Sequence, residues 1–167
     1  MKEIEKNITI ENGRKLDFDG ESIADIIVRQ GSELNAPNLK CVRGHLVVYE
    51  GGTINAMNLK SIGRGIELDG STNLTLPKVE ACYEYINLGK NSCLSLPTLY
   101  ACANILIYGG RLLVPKLRSC FGNIILEKNA SLESPLLSDI YGDFIIKGDS
   151  RIQAKKLFLE WAEKGGK

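Results

Sequence analysis

Apolar positions recur along the chain with a period of about twenty residues, so that six consecutive blocks align with one another. Each block between Gly31 and Gly148 opens at a turn-forming residue, continues with an L-x-x-P-x-L pattern and ends in an I-x-I triplet or a close variant. Within the triplet, apolar residues alternate with a position that faces outward, which predicts a β-strand with one buried face. The two inward columns of the triplet are Leu46, Ile66, Ile86, Ile105, Ile124, Phe144 and Val48, Leu68, Leu88, Ile107, Leu126, Ile146.

A single block is too small to bury its own apolar face, but stacked copies bury it against one another. Stacking turns each column into a ladder at the ~4.8 Å spacing of hydrogen-bonded strands, with parallel sheets along the stack. The five prolines, at positions 37, 77, 97, 115 and 135, share one column, and Met57 takes that place in the remaining block. Because proline lacks an N–H, we expect this column at a corner or on an irregular second side.

The sequence therefore predicts an all-β protein, a β-solenoid (β-helix) of about seven ~20-residue coils with parallel sheets and a short C-terminal capping α-helix. Residues 1–167 are interpreted as one domain, in which 1–30 form an irregular N-terminal coil or cap, 31–148 the six regular repeats and 149–167 the last partial coil and the capping helix. The helix is predicted over 155–164, where Leu157, Phe158 and Trp161 fall on one helical face.

The motif L-x-L-P-x-L-x-x-C followed by I-x-I, seen from Leu94 to Ile107, resembles the short leucine-rich-repeat-like coils of bacterial and phage proteins. It is also similar to the receptor L-domain type of β-helix. The resemblance extends from about Leu34 to Ile146, without a regular asparagine ladder at the turn. It implies recognition of proteins or other polymers, and it carries no catalytic residue over to this chain.

Composition and charge narrow the compartment and the kinds of partner expected for the protein. The formal net charge is +1, which gives no whole-chain argument for nucleic acid or membrane binding. No apolar run approaches the ~20 residues of a membrane span, and the charged residues 1–6 lack the apolar region of a signal peptide. We therefore expect a cytoplasmic protein with no membrane partner, whose five cysteines are reduced thiols.

Candidate chemistry is sparse. Cys82, Cys102 and Cys120 share a repeat column whose other members are aliphatic, so we interpret them as buried core residues and predict no metal site. His45 is the only histidine, is predicted to point outward beside Arg43, and has no serine or cysteine nucleophile at a supporting spacing. We predict that the protein is not an enzyme, with no catalytic residue and no cofactor.

Two outward columns are more informative. The outward position of the triplet becomes apolar in the last three repeats, so Leu106, Ile125 and Ile145 are candidate partner-binding residues. The alternative is that a loop or the C-terminal helix covers them, or that this sheet is buried on both faces. A second column and its upstream neighbours form a candidate basic stripe, consisting of Lys40, Lys60, Lys78, Tyr100, Lys116 and Arg118. Because Glu80 and Glu84 are mixed in, a solvated face is the alternative there.

These features favour a non-enzymatic protein-binding module. Its small size and the resemblance suggest a phage- or bacteria-encoded inhibitor or adaptor that acts on a host or immune-system protein. Three alternatives stay open: a self-assembling structural solenoid that forms a homo-oligomer, a nucleic-acid-binding protein that uses the basic stripe, and, remotely, a carbohydrate-active β-helix with carboxylates such as Glu67 and Asp69.

Overall fold

The structure is a computed structural model that describes residues 6–154. Over this range the chain is all-β, without a helix, and its parallel strands stack as a β-solenoid of about seven turns. The predicted fold class is therefore confirmed, whereas the capping helix predicted at 155–164 lies outside the described residues. The strands are β1 (Ile8–Ile10), β2 (Lys15–Asp17), β3 (Ser22–Ile23), β4 (Ile26–Val28), β5 (Glu33–Asn35), β6 (Cys41–Val42), β7 (Leu46–Val48), β8 (Thr53–Asn55), β9 (Ser61–Ile62), β10 (Gly65–Leu68), β11 (Asn73–Thr75), β12 (Ala81–Leu88), β13 (Cys93–Ser95), β14 (Ala101–Tyr108), β15 (Arg111–Leu113), β16 (Ser119–Cys120), β17 (Ile124–Glu127), β18 (Ser131–Glu133), β19 (Asp139–Ile140), β20 (Phe144–Ile146) and β21 (Arg151–Gln153).

Each coil has three sides. The first side carries β1, β4, β7, β10, β12, β14, β17 and β20, and the third side carries β3, β6, β9, β12, β14, β16 and β19. The long strands β12 and β14 turn the corner between these sides and join them into one 13-stranded sheet. The second side consists of a three-stranded sheet, β2-β5-β8, and a five-stranded sheet, β11-β13-β15-β18-β21.

Strand register reproduces the repeat columns. On the first side, Ile66 pairs with Leu46 in the preceding coil and with Ile86 in the following one. Side chains of both inward columns are fully buried through most of the stack, because each fills the space between its neighbours above and below. The core is thus a set of aliphatic ladders that run the length of the solenoid.

The proline column lies at a corner, as predicted. Pro37 is the second residue of a β-turn after β5, in which the Leu39 N–H donates to the Ala36 carbonyl at 3.1 Å. The same bond recurs from Leu117 to Val114 at 3.0 Å, around Pro115. Proline suits this place because its fixed φ matches the second turn position, where its missing N–H costs no ladder bond.

The second side contains a break. Within the described residues, no strand pairing joins β8 of one coil to β11 of the next, although the other two sides continue through the same level. In the last described coil, Ile146, which continues the inward column of Leu126, is 41% exposed. Nowhere in residues 6–154 does the chain form a helix that could cross a membrane.

Candidate interaction surface

The predicted apolar column is continuous in the structure. Leu106 on β14 pairs in register with Ile125 on β17, which pairs with Ile145 on β20. All three side chains are partly exposed, whereas Ile105 and Ile124, which precede the first two in sequence, are fully buried. The column therefore faces away from the core. Earlier in the stack the same outward position holds Ile27 and Val47, but Glu67 and Asn87 follow them, so a separate apolar run begins at Leu106.

Four aromatic side chains cluster beside this column, three of them at the corner between the first and third sides and Tyr100 at the opposite end of the third side. They are strongly exposed, at 65%, 56%, 61% and 70% for Tyr83, Tyr100, Phe121 and Tyr141 respectively. Tyr83, Phe121 and Tyr141 each follow a residue of the inward cysteine column directly in sequence. We call this set the aromatic corner. Our sequence analysis named only Tyr100, as part of the basic stripe, and missed the other three rings because it did not follow that outward column. Aligning that position alone would have revealed them.

The aromatic corner encloses a small cavity. The rings of Phe121 and Tyr141 stack with centroids 5.6 Å apart and planes inclined by 23°. On the other side of Phe121, a cavity of about 180 Å³ lies between Phe121, Tyr83 and Tyr100. Ala81, Ala101 and Ala103 contribute its apolar floor, together with Cys82 and Cys102. Because the floor consists of small side chains, a group of a few atoms could enter between the rings.

A short polar ladder separates the aromatic corner from the apolar column. The Asn104 side-chain oxygen accepts the backbone N–H of Asn123 at 2.9 Å, and the Asn123 oxygen accepts the N–H of Asp143 at 2.7 Å. The Asn104 amide also donates to the Glu84 carbonyl at 3.2 Å. These bonds satisfy backbone donors at the bend of the coil, so they fix the aromatic and aliphatic side chains relative to each other.

His45 contacts a residue two coils away. Its Nδ1 lies 3.2 Å from the hydroxyl of Tyr85, whose ring passes over Gly65 in the intervening coil. A β-carbon at Gly65 would lie only 2.6 Å from that ring, so the absence of a side chain there makes the contact possible. Burial, with a smaller effect of Glu67, raises the pKa of Tyr85. The structure thus places the phenol hydroxyl of Tyr85 against the His45 ring.

The cysteine column is buried, as interpreted from the repeat. Cys82, Cys102 and Cys120 occupy one register position on adjacent coils and are at most 2% exposed. Burial raises the pKa of the Cys82 thiol to about 12, which disfavours the thiolate that metal binding and nucleophilic attack require. Cys41 and Cys93 are partly exposed free thiols. Among residues 6–154, no group of three or more His, Cys, Asp or Glu side chains is placed to hold a metal ion.

The residues of the basic stripe stack as predicted, but acidic side chains lie among the basic ones. Lys60 donates its backbone N–H to Lys40 and accepts that of Glu80, so a carboxylate continues this column. The Lys40 ammonium lies 2.6 Å from Glu21, and Lys78 donates to the Asn58 side-chain oxygen at 2.6 Å. The remaining members, Tyr100, Lys116 and Arg118, are exposed in the following coils. The stripe is therefore a mixed surface rather than a continuous positive one.

The fold and this surface define a class, a β-solenoid repeat protein with an apolar and aromatic outer face on its C-terminal coils. No protein-family model, curated protein or solved structure matches the chain. The relation to leucine-rich-repeat-like and receptor L-domain coils accordingly stays a prediction from the repeat motif.

Proposed function

We propose that the protein is a non-enzymatic protein-binding module and that its partner contacts the C-terminal coils. The observation that carries this proposal is that three rings of the aromatic corner, Tyr100, Phe121 and Tyr141, share their coils with Leu106, Ile125 and Ile145. Aliphatic ladders and exposed tyrosine or phenylalanine rings on one surface are typical of protein interfaces and rare on isolated surfaces of this size.

The arrangement suits a partner that spans both features. Phe121 and Ile125 lie four residues apart in one coil, and Tyr141 and Ile145 repeat that spacing in the next. The Asn104 ladder between them supplies a polar seam within an otherwise apolar patch. Aromatic anchors beside aliphatic contacts, with polar groups at the margin, are the composition expected of interface hot spots.

The setting of this function follows from the sequence. Five free cysteines and a motif that resembles bacterial and phage coils support a cytoplasmic inhibitor or adaptor, acting on a host or immune-system protein. We propose this setting on the resemblance, while the surface itself supports only the protein-binding class.

The test uses two double variants of the same outward column. Leu106→Lys with Ile125→Lys places charges in the apolar column, and Ile27→Lys with Val47→Lys makes the matched change at paired positions near the other end. A partner is first isolated on the immobilised chain and identified by mass spectrometry, and its purified form is then titrated against each variant. We expect at least a ~100-fold weaker Kd for the first variant only, since desolvating two charges at an interface costs several kcal/mol.

Circular dichroism of the variants decides how the titration is interpreted. If the Leu106/Ile125 variant is folded and binds as tightly as the wild type, the proposed surface is wrong. If it is unfolded while the Ile27/Val47 variant is folded, the column is part of the core and the proposal also fails.

Self-association is a second candidate function, favoured by the exposure of Ile146 in the last described coil. Light scattering of the purified chain across dilution tests it. A stable dimer that Ile146→Lys dissociates would assign the contact to the coil end, and a monomer at every concentration would remove this candidate.

A further inference from the structure

The cavity in the aromatic corner is lined by side chains that carry no charge. Its floor consists of three alanines and two thiols, and its rim consists of the rings of Tyr83, Tyr100 and Phe121. The Cys82 thiol in the floor is buried and already donates to the carbonyl oxygen of Tyr85 at 3.3 Å. Polar contact with an occupant is therefore left to the tyrosine hydroxyls at the rim, while the floor offers apolar surface.

The volume of the cavity matches a small apolar group. It measures about 180 Å³, and an apolar cavity of roughly 150 Å³ inside a protein is enough to bind benzene. The rings at its rim are between 56% and 65% exposed, so the cavity is open to solvent and a group from another molecule can reach the floor. A side chain of the size of leucine or phenylalanine fits this space.

The charges around the cavity do not favour a charged occupant. The Glu80 N–H donates to the Lys60 carbonyl at 2.8 Å, so a base stands one coil before this acid. The Glu84 N–H donates to the Arg64 carbonyl at 2.9 Å, which gives the second acid the same kind of neighbour. Arg118, also exposed, adds a cation on a later coil. A charged group would meet both signs nearby and would lose hydration against the apolar lining, so an uncharged occupant is favoured.

The cavity adjoins the apolar column. Ala103 in the floor and Leu106 in the column lie three residues apart on β14. On the next coil, Phe121 of the rim is followed by Ile125, which pairs with Leu106. A partner that covers the apolar column is thus placed to insert one side chain into the cavity, and such central pockets are where interface anchors are found.

We propose that the cavity binds an apolar side chain of the protein partner, of leucine or phenylalanine size, between Tyr83, Tyr100 and Phe121 and over the alanine floor. The inference rests on the proposed function for the source of that side chain. It adds the chemical class and the position of the anchor, which the apolar column alone does not specify.

The experiment needs no partner protein. The full chain, labelled in its alanine methyl groups, is titrated with acetyl-Gly-Leu-Gly-amide and acetyl-Gly-Phe-Gly-amide and observed by NMR. We expect saturable shifts of the methyl resonances of Ala81, Ala101 and Ala103, with a Kd on the order of millimolar. The matching peptides with asparagine or arginine in the central position are expected to bind at least about fivefold more weakly, since they bury less apolar surface.

Three variants complete the test. Ala103→Leu fills the cavity while every ring stays in place, and Phe121→Ala removes part of the rim, so each is expected to weaken binding of the leucine peptide at least about fivefold. Leu136→Ala removes an exposed apolar side chain from the C-terminal coils outside the cavity and should leave binding unchanged. Circular dichroism shows which variants are folded, and if Ala103→Leu is not, Phe121→Ala decides.

Two results would overturn the inference. One is an affinity for the leucine and phenylalanine peptides no higher than for the asparagine and arginine peptides, including the absence of saturable shifts. The other is unchanged binding of the leucine peptide by a folded variant that fills the cavity or lacks the Phe121 ring.

The outcomes also separate this inference from the proposed function. If the apolar peptides do not bind but the Leu106/Ile125 variant loses the partner, the surface is correct and the cavity is not its anchor. If they bind and that variant, folded, still binds the partner, the cavity stands as an apolar site and the proposed apolar interface is wrong.

Discussion

The outer faces of the first three coils and of the last three coils differ in kind, although both are built on the same inward columns. In the N-terminal coils, exposed polar side chains bond to one another: Asn55 donates to Asn35 and Asn35 donates to Asp17, both at 2.8 Å. In the C-terminal coils, the outward positions carry the aromatic corner and the apolar column instead. The N-terminal coils also carry the outward apolar pair Ile27 and Val47, but only the C-terminal coils combine an apolar column with a cluster of exposed rings.

This difference indicates that inward and outward positions are under separate constraints in a solenoid. An inward residue must match its neighbours above and below in volume, because the ladder is close-packed. An outward residue must only be compatible with a strand or turn, so each coil can present different chemistry on one scaffold.

The largest effect is expected from exchanging inward and outward neighbours. Ile124→Lys buries an unpaired charge in a position that is 0% exposed, and we expect it to lower the free energy of unfolding by more than about 4 kcal/mol or to prevent folding. Ile125→Lys, one residue on, should cost less than about 1 kcal/mol. Urea unfolding followed by circular dichroism measures both, and similar losses in the two variants would contradict the alternation.

A pH effect is expected from the cysteine column. The pKa of Cys82 is raised by burial to about 12 in the folded state, against an ordinary value of 9.0. Between these values the folded state retains a proton that the unfolded state has lost, so the free energy of unfolding should fall as the pH rises above about 9. Cys82→Ala should flatten this part of the profile in thermal unfolding scans. An equally steep fall in that variant would assign it to other groups.

A smaller effect is expected from the two amide ladders. Asn104→Ala leaves the backbone N–H of Asn123 without its acceptor in a partly buried place, which should cost roughly 1 kcal/mol of unfolding free energy. Asn35→Ala breaks an exposed side-chain ladder, where water replaces the lost bonds, and should cost only a few tenths. Denaturant midpoints of the two variants give the comparison, and the reverse order would show that the ladder of the C-terminal coils is not structural.

The smallest effect is expected from the ion pair between Lys40 and Glu21. Both side chains are about half exposed, so water and salt screen their attraction. We expect Lys40→Met to change the free energy of unfolding by less than about 0.5 kcal/mol, with no dependence on salt concentration beyond that of the wild type. If the free energy of unfolding falls by more than about 1 kcal/mol in the same assay, this ion pair stabilises the fold more than its exposure predicts.

The core could be predicted from the sequence because repetition makes it redundant. Leu46, Ile66 and Ile86 each support the same assignment, and the proline column identified its corner since a missing N–H is tolerated at few places. The parallel register then followed from aligning the blocks. The period and two columns of apolar residues were therefore enough to predict the fold.

The outer surface was predicted less completely, because it is where the repeats differ. The apolar column was found since Leu106, Ile125 and Ile145 keep one residue type over three coils. Tyr83, Phe121 and Tyr141 were missed, because their column also holds arginine, glycine and alanine in other coils. The contact between His45 and Tyr85 spans two coils across Gly65, and no periodic signal marks a contact that occurs once.

The break in the second side has a mechanical meaning. A solenoid with three continuous sheets would be equally stiff along its length. In this one, the sheet of the second side is interrupted between β8 and β11. At that level only the first and third sides are joined from coil to coil by strand pairing. The corner between these two sides contains the small residues Gly63 and Gly65. We expect the solenoid to bend most easily at this level. The coils before and after it would then behave as two stiff segments, which could change their relative angle while each keeps its own surface.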